Sequence, residues 1–154
     1  MHFEPVTPID VRVLRDFLSE VDLTLAGLDA PTVKLWIERA ADGCIIGSTG
    51  YELSTDGRHA LIRSVAVAPT RRAMGAGSRL ANFALTNAAS HGATRAWLFS
   101  RRSGPFWQKL GFQVADRHEL ALALAQTHQV RLFVDSGQLE REIAWSRPLS
   151  DLAQ

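Results

Sequence analysis

One stretch constrains the fold more than any other: Leu61 to Ser78, LIRSVAVAPTRRAMGAGS. Its first part, Leu61 to Val67, is an apolar run that includes β-branched residues, which predicts a buried strand. Pro69 ends that strand, because proline has no N–H to give a ladder. A basic turn follows, with Arg71, Arg72, Gly75 and Gly77. From Ser78 the apolar residues Leu80, Ala81, Ala84, Leu85, Ala88 and Ala89 recur at helical spacing, and Gly92 suits the position just past the helix end. The first turn of a helix has backbone N–H groups with no intrahelical partner, and the helix dipole favours negative charge there. Glycines let an anion approach that backbone without a Cβ in the way. Strand, basic glycine turn and helix start together form a recipe for holding phosphate groups.

The kind of phosphate ligand is narrowed by what the turn lacks. It has no Gly-Lys-Ser/Thr, which excludes a Walker-type loop. The run Gly75-Ala76-Gly77-Ser78-Arg79-Leu80 lacks the third glycine of a dinucleotide fingerprint and does not sit near the start of a βαβ unit. Composition narrows the class further. The chain has 154 residues and a formal net charge of +1, so its overall field points to neither nucleic acid nor membrane. No basic stripe is interleaved with aromatics, as single-strand binding would need. The single cysteine, Cys44, lies in an apolar run and reads as a small core residue rather than a nucleophile. No disulfide can form within one chain, which agrees with a reducing compartment. The first ten residues have no apolar signal-peptide core, and no stretch approaches a membrane-spanning length. The expectation is a cytoplasmic protein of one domain, residues 1–148, with 149–154 as a frayed tail.

The rest of the chain reads as a mixed α/β (α+β) pattern. Residues 2–7 suggest an edge strand, and Thr7-Pro8-Ile9-Asp10 a helix start with a Thr cap and Pro in the first turn. Val11, Leu14, Phe17, Leu18 and Val21 continue that helix. Residues 22–31 form a connection. Strands are expected over 34–39, 44–53 and 59–67, joined by the turns Ala41-Asp42-Gly43 and Ser54-Thr55-Asp56-Gly57, with Gly47 and Gly50 as bulge points. After the helix at 78–91 comes a strand at 95–99, parallel to 61–67 through the helical crossover. A short helix at 105–110, a strand at 111–114, a helix at 118–128 and a last strand at 140–145 complete the reading.

Two motifs give this pattern a family likeness. Arg72-Ala73-Met74-Gly75-Ala76-Gly77, after Val65-Ala66-Val67-Ala68-Pro69, resembles the acetyl-CoA pyrophosphate loop of the GNAT superfamily of N-acetyltransferases. Phe106-Trp107-Gln108-Lys109-Leu110-Gly111-Phe112 resembles that family's second signature, Phe-Tyr-x-x-Leu-Gly-Phe. The two stand in the right order, about one helix and one strand apart. The fold implied is a twisted, mostly antiparallel sheet with a splayed central parallel pair, flanked by helices. Gly50-Tyr51-Glu52 and the run 60–67 look like the arsenic-resistance-associated branch of the family. At 134–138 the chain departs from that branch: Val-Asp-Ser-Gly-Gln stands where a Cys-Pro segment is usual, leaving no paired thiols for a soft metalloid.

The activity implied by the resemblance is transfer of an acetyl group from acetyl-CoA to a primary amine of a small molecule or amino acid, without a metal. It implies that Arg72, Ala73, Met74, Gly75, Ala76, Gly77 and Ser78 cradle the pyrophosphate. It implies that backbone groups of Val65, Ala66 and Val67 pair with the pantetheine arm and supply oxyanion donors. Ser100 is a candidate polar contact to pantetheine. Glu52 is the candidate general base, with His59 second, and Arg63 is a candidate for binding an acceptor carboxylate or for pairing with Glu52. The usual tyrosine acid is replaced by Trp107, whose indole is no acid at neutral pH, so Trp107 is expected to pack on the pantetheine or the acceptor. That replacement opens a second reading, a catalytically weak or inactive acyl-CoA-binding module; a peptide or protein N-acetyltransferase is a third. Family members often dimerise, and residues 118–145 are the candidate contributor to a homodimer.

Overall fold

The computed structural model describes residues 2–20 and 23–152, with the backbone alone at Ala73 and Met74. The strands are β1 (Glu4–Pro5), β2 (Val33–Arg39), β3 (Ile45–Leu53), β4 (His59–Val67), β5 (Arg95–Phe99), β6 (Gln113–Ala115) and β7 (Ala144–Pro148). The helices are α1 (Val11–Glu20), α2 (Ala76–Ser90), α3 (Gly104–Lys109), α4 (Arg117–Ala123) and α5 (His128–Ser136), with a 3-10 turn over Pro69–Met74. The strands form one sheet in the order β1-β2-β3-β4-β5-β7-β6. Every neighbouring pair is antiparallel except β4–β5, which is parallel. This is the mixed, mostly antiparallel sheet with one parallel pair that the sequence pattern implies.

Helices cover both faces, and alternation along the strands sorts residues between them. On one face Tyr51, Ile62 and Leu98 pack with Ala81, Ala84, Leu85 and Ala88 of α2 and with Trp107 of α3. On the other face Leu35 and Ile37 meet Leu14 and Leu18 of α1, while Leu61 and Trp97 meet Leu120 of α4 and Val130 of α5. The apolar stripe of α2 is mostly alanine, so its backbone sits close to the sheet. Thr49 uses that proximity, donating its hydroxyl to the carbonyl of Leu80 at 2.7 Å.

Strand β4 carries the one irregularity that matters for function. Ser48 pairs with Ala66, but Gly50 pairs with Arg63. Two steps along β3 therefore face three along β4, which makes a bulge at Ser64–Val65 opposite Thr49. Ser64 has φ 60°, in the left-handed region, and its carbonyl accepts the Ser48 hydroxyl at 2.6 Å. The extra residue resets the alternation, so Val65 and Val67 return to the α2 face and Ala66 to the α1 face.

Several expectations shift. Helix α1 begins at Val11; residues 7–10 form a turn closed by bonds from the Thr7 amide and hydroxyl to Asp10 Oδ2. Val21 and Asp22 lie outside the described residues. Cys44 is exposed, not in the core, and the Asp42 carboxylate beside it pushes its thiol up, away from nucleophilic character. The predicted helix over 118–128 stops early, α4 ending at Ala123, and a further helix that was not expected, α5, follows Thr127 and runs to Ser136. The last strand is β7, at 144–148 rather than 140–145. Packing also runs on past Pro148. Leu149 is fully buried, its N–H donates to Thr94 at 2.8 Å, and Leu152 packs against the α2 cluster.

Candidate active site

The parallel pair does not stay paired. Strand β4 faces β5 only from His59 opposite Arg95 to Leu61 opposite Trp97, while β5 holds β7 as far as Phe99 opposite Ala144. Beyond Leu61 the two strands diverge, and a cavity of about 630 Å³ occupies the gap. Its walls are Ile62 to Val67 on one side and Leu98 to Ser100 on the other. The N–H of Ala68 donates to Ile46 of β3 at 2.8 Å, so by antiparallel alternation the N–H and carbonyl of Val67 turn to the open side. The Val67 carbonyl is there met by Arg72 Nε at 3.2 Å. Backbone polar groups along a buried edge need partners, and here the cavity offers room for a ligand to supply them.

The start of α2 closes one end of the cavity. Gly75 has φ 71° and serves both as the end of the 3-10 turn and as the cap of α2; that left-handed conformation suits glycine. No side chain caps the helix, and no acidic residue lies in its first turn. Arg72, Gly75, Gly77 and Ser78 line the cavity. Ala76 is buried and packs beneath the loop with Val67 and Leu80. The side chains of Ala73 and Met74 lie outside the described residues. Ser100 lines the opposite wall, and its hydroxyl accepts the Ser103 amide at 3.1 Å. Trp107 also lines the cavity, with its ring edge-on to Phe106 and Phe112 at 4.9 and 5.4 Å.

Glu52 sits elsewhere. It is buried and is not among the residues lining the cavity. Its carboxylate takes Arg63 Nη1 at 2.9 Å, the His128 amide at 2.7 Å, His128 Nδ1 at 3.0 Å and the Gln129 amide at 3.3 Å. Four donors converge on two oxygens, two of them from the first turn of α5, where the helix dipole favours a carboxylate. A group so engaged has no oxygen turned to an incoming amine, which argues against the general-base expectation. Arg63 is as fully committed. Its side chain is fully buried, and besides Glu52 it reaches Ser64 Oγ and the Thr24 carbonyl, both at 3.3 Å. Burial pushes its guanidinium down from the ordinary value, against the opposing pull of Glu52. An acceptor carboxylate could reach it only by displacing one of these partners.

The second candidate base, His59, and the tyrosine of the chain are also not among the residues lining the cavity. His59 Nδ1 accepts the Trp97 indole N–H at 3.0 Å. Tyr51, the only tyrosine, gives its hydroxyl to Asn87 Oδ1 at 2.5 Å on the α2 face, and burial pushes its phenol up. Among the described lining residues the ionisable side chains are Arg63, Arg72 and Arg102. Sequence reasoning missed Thr24 and Gln129, which line the end of the cavity away from α2. The signal was present: Thr127 as an N-cap, Val130 and Phe133 three apart, and Gly137 just past the end mark a separate helix.

Comparison with known proteins assigns the family. The model of the acetyltransferase (GNAT) family matches residues 5–112, and the chain belongs to that family. No curated protein sequence matches this one. Among solved structures, a GNAT-family acetyltransferase from Staphylococcus aureus Mu50 superposes with a TM-score of 0.76 at 12% identity, covering 97% of this chain and 99% of the other. N-acetylglutamate synthase from Neisseria gonorrhoeae, with coenzyme A and N-acetyl-glutamate, matches with a TM-score of 0.71 at 18% identity; 96% of this chain is covered but only 35% of that one. Rv2747 of Mycobacterium tuberculosis, in a complex containing CoA, matches with a TM-score of 0.73 at 15% identity over 96% of this chain and 99% of its own. At these identities the likeness is one of fold. Among the described residues no helix is long and apolar enough to cross a membrane.

Proposed function

We propose that this protein is an acetyl-CoA-dependent N-acetyltransferase that moves an acetyl group directly to a primary amine of a small molecule or amino acid. The observation that carries the reading is the cavity opened by the divergence of β4 and β5, which runs from the uncapped start of α2 past the bulge. In this reading the N–H groups of Gly75 to Ser78 and the guanidinium of Arg72 hold the pyrophosphate, with Ala73 and Met74 as part of the same loop. The open edge of Val65, Ala66 and Val67 takes the pantetheine arm. N–H groups of that edge receive the thioester oxygen as it gains charge, a contribution of roughly 3–4 kcal/mol per donor in measured cases. Ser100 and Trp107 flank the arm.

The transfer needs few further groups. The amine nitrogen bonds to the acyl carbon to give a tetrahedral intermediate, the carbon–sulfur bond then breaks, and the amine's surplus proton passes to solvent. A thiol with a pKa of about 8.5 leaves as thiolate without an acid, which suits a site with tryptophan at position 107. Glu52 and Arg63 act as positioning residues, since they anchor α5 and the 23–30 loop around the acceptor end. Solved relatives of the same fold hold CoA, and one of them holds N-acetyl-glutamate, which supports an amino-acid type of acceptor. The likeness to the arsenic-resistance-associated branch rests on residues with framework roles here, such as Tyr51 on Asn87 and Glu52 on Arg63. The reading includes one acetyltransferase domain in the cytoplasm, and a homodimer covering the exposed Leu122, Leu132 and Val134.

The test is thermal unfolding with acetyl-CoA, ATP or NADPH in separate samples, followed by thiol release with a panel of primary amines. At about 100 times its Kd a ligand adds roughly 2.7 kcal/mol, a rise of about 5–11 °C for a chain of this size. A rise with acetyl-CoA alone and turnover with one or more amines is the expected result. No rise with acetyl-CoA refutes the reading. A rise without turnover with any amine, in the wild type and in Trp107→Tyr, favours the non-catalytic module that tryptophan at this position brings forward.

A further inference from the structure

Helix α5 closes the acceptor end of the cavity, and it presents one buried polar atom with no partner. Gln129 is only 8% exposed and lines the cavity. Its Nε2 donates to Thr24 Oγ1 at 2.9 Å. Its Oε1 is buried and receives no hydrogen bond among the described residues. A buried acceptor left unpaired is costly, and native folds keep few of them.

The surroundings hold that oxygen in place. The Gln129 amide is bound to Glu52, which is itself held by Arg63. Thr24, the partner of Nε2, gives its carbonyl to the same arginine. Next door, the His128 side chain lies against Gly27, where a Cβ would meet Cγ at 2.6 Å. Helix α5 and the 23–30 loop are therefore tied to each other and to β4 at the mouth of the cavity.

The donor that such an oxygen lacks is an N–H or O–H carried by a ligand. At the acceptor end of an acetyltransferase site, the group that must bring N–H bonds is the amine. We propose that Gln129 Oε1 receives an N–H of the acceptor amine and directs its lone pair toward the acyl carbon, making Gln129 a specificity-determining residue. The proposal rests on the acetyltransferase reading above. Its chemistry follows from an amide oxygen. An amide accepts a hydrogen bond without carrying charge, so it holds the neutral, nucleophilic amine without the pull toward ammonium that a carboxylate exerts. A tertiary amine has no N–H in its neutral form and is excluded.

The test uses the whole 154-residue chain and a panel of the standard amino acids, 2-phenylethylamine, histamine and spermidine, followed by thiol release. Steady-state constants are then measured with the best amine of that panel. Gln129→Leu is expected to raise the KM for the amine about tenfold to a hundredfold while leaving the KM for acetyl-CoA and the acetyl-CoA thermal shift unchanged. Gln129→Glu keeps an acceptor oxygen and recovers most of that loss in KM, while its charge, which favours ammonium, lowers kcat; with the amide turned over, presenting its NH2 to the cavity, the KM with Glu would be no better than with Leu. Thr24→Val breaks the same loop tie but spares Oε1, and raises the amine KM less than Gln129→Leu. An unchanged amine KM in Gln129→Leu overturns the proposal, as does an equal rise in that KM from Gln129→Glu or from Thr24→Val. Wild-type turnover with an insensitive Gln129→Leu overturns this proposal alone. A wild type that acetylates no amine removes the acetyltransferase reading and this proposal with it.

Discussion

Replacing Glu52 with Gln separates an anchor from a base. In a general base on a stable scaffold, the amide would abolish proton transfer and leave the fold intact. Here the carboxylate faces donors only: Arg63, two amides of α5 and a ring nitrogen of His128. The new NH2 would point at one or more of them, and Arg63 would lose its counter-charge while its side chain stays fully buried. Removing one partner of a buried ion pair costs about 3–5 kcal/mol. An unfolding entropy of about 2.1 cal/mol/K per residue gives roughly 0.32 kcal/mol/K for this chain, so the fall in Tm is about 9–15 °C. Glu52→Ala is expected to fall in the same range. The assay is reversible thermal melting followed by circular dichroism, with kcat measured at 15 °C, where the variant is still folded. The expected result is a large loss of Tm with kcat lowered modestly through a loosened acceptor end. A Glu52→Gln variant that melts within about 2 °C of wild type but loses a hundredfold or more in kcat would refute the anchor and restore the base.

Two other predictions test the loop and the N-terminal turn. Gly75→Ala puts a Cβ on a residue with φ 71°, at a cost of about 1–2 kcal/mol, and should weaken acetyl-CoA binding more than it lowers Tm; calorimetric titration checks this. The Asp10 carboxyl is held below its usual value, first by the Thr7 amide and further by Arg39. A folded pKa below the unfolded one gives stability that is present above pH 3.8 and lost as pH falls through the folded value. The Tm difference between wild type and Asp10→Asn should therefore be constant at neutral pH and shrink below about pH 4.

Much of the fold was legible because local signals agreed with tertiary need. His59–Val67 and Arg95–Phe99 have the bounds that their apolar runs predict, and the alanine stripe of α2 packs on the sheet as its spacing requires. Gly75 and Gly77 mark the start of α2 for a backbone reason visible in a six-residue window. The turn at residues 7–10 misled, because Thr7 and Asp10 bond to each other and delay the helix by a turn. Cys44 misled because its apolar neighbours Ile45 and Ile46 begin the strand one residue later, leaving Cys44 on the hairpin. The α4–α5 break was legible in Thr127 and Gly137, and an alanine- and leucine-rich stretch hid it.

What the sequence by itself determined is the half of the site that is proposed to hold phosphate. A helix start and its glycine turn are contiguous, so the groups suited to an anion lie within a few residues of one another. What only the tertiary structure decided is the other end of the cavity. Glu52, Arg63, Thr24 and Gln129 come from four separate elements; the Glu52–Arg63 pairing was among the expectations for neighbouring strands, but spacing along the chain does not say that Thr24 and Gln129 join them. The bulge at Ser64 and the parting of β4 from β5 set where the backbone opens. The closure of α5 onto Glu52 ties this carboxylate to the start of a helix and brings Gln129, whose buried Oε1 has no hydrogen-bond partner among the described residues, to the wall of the cavity.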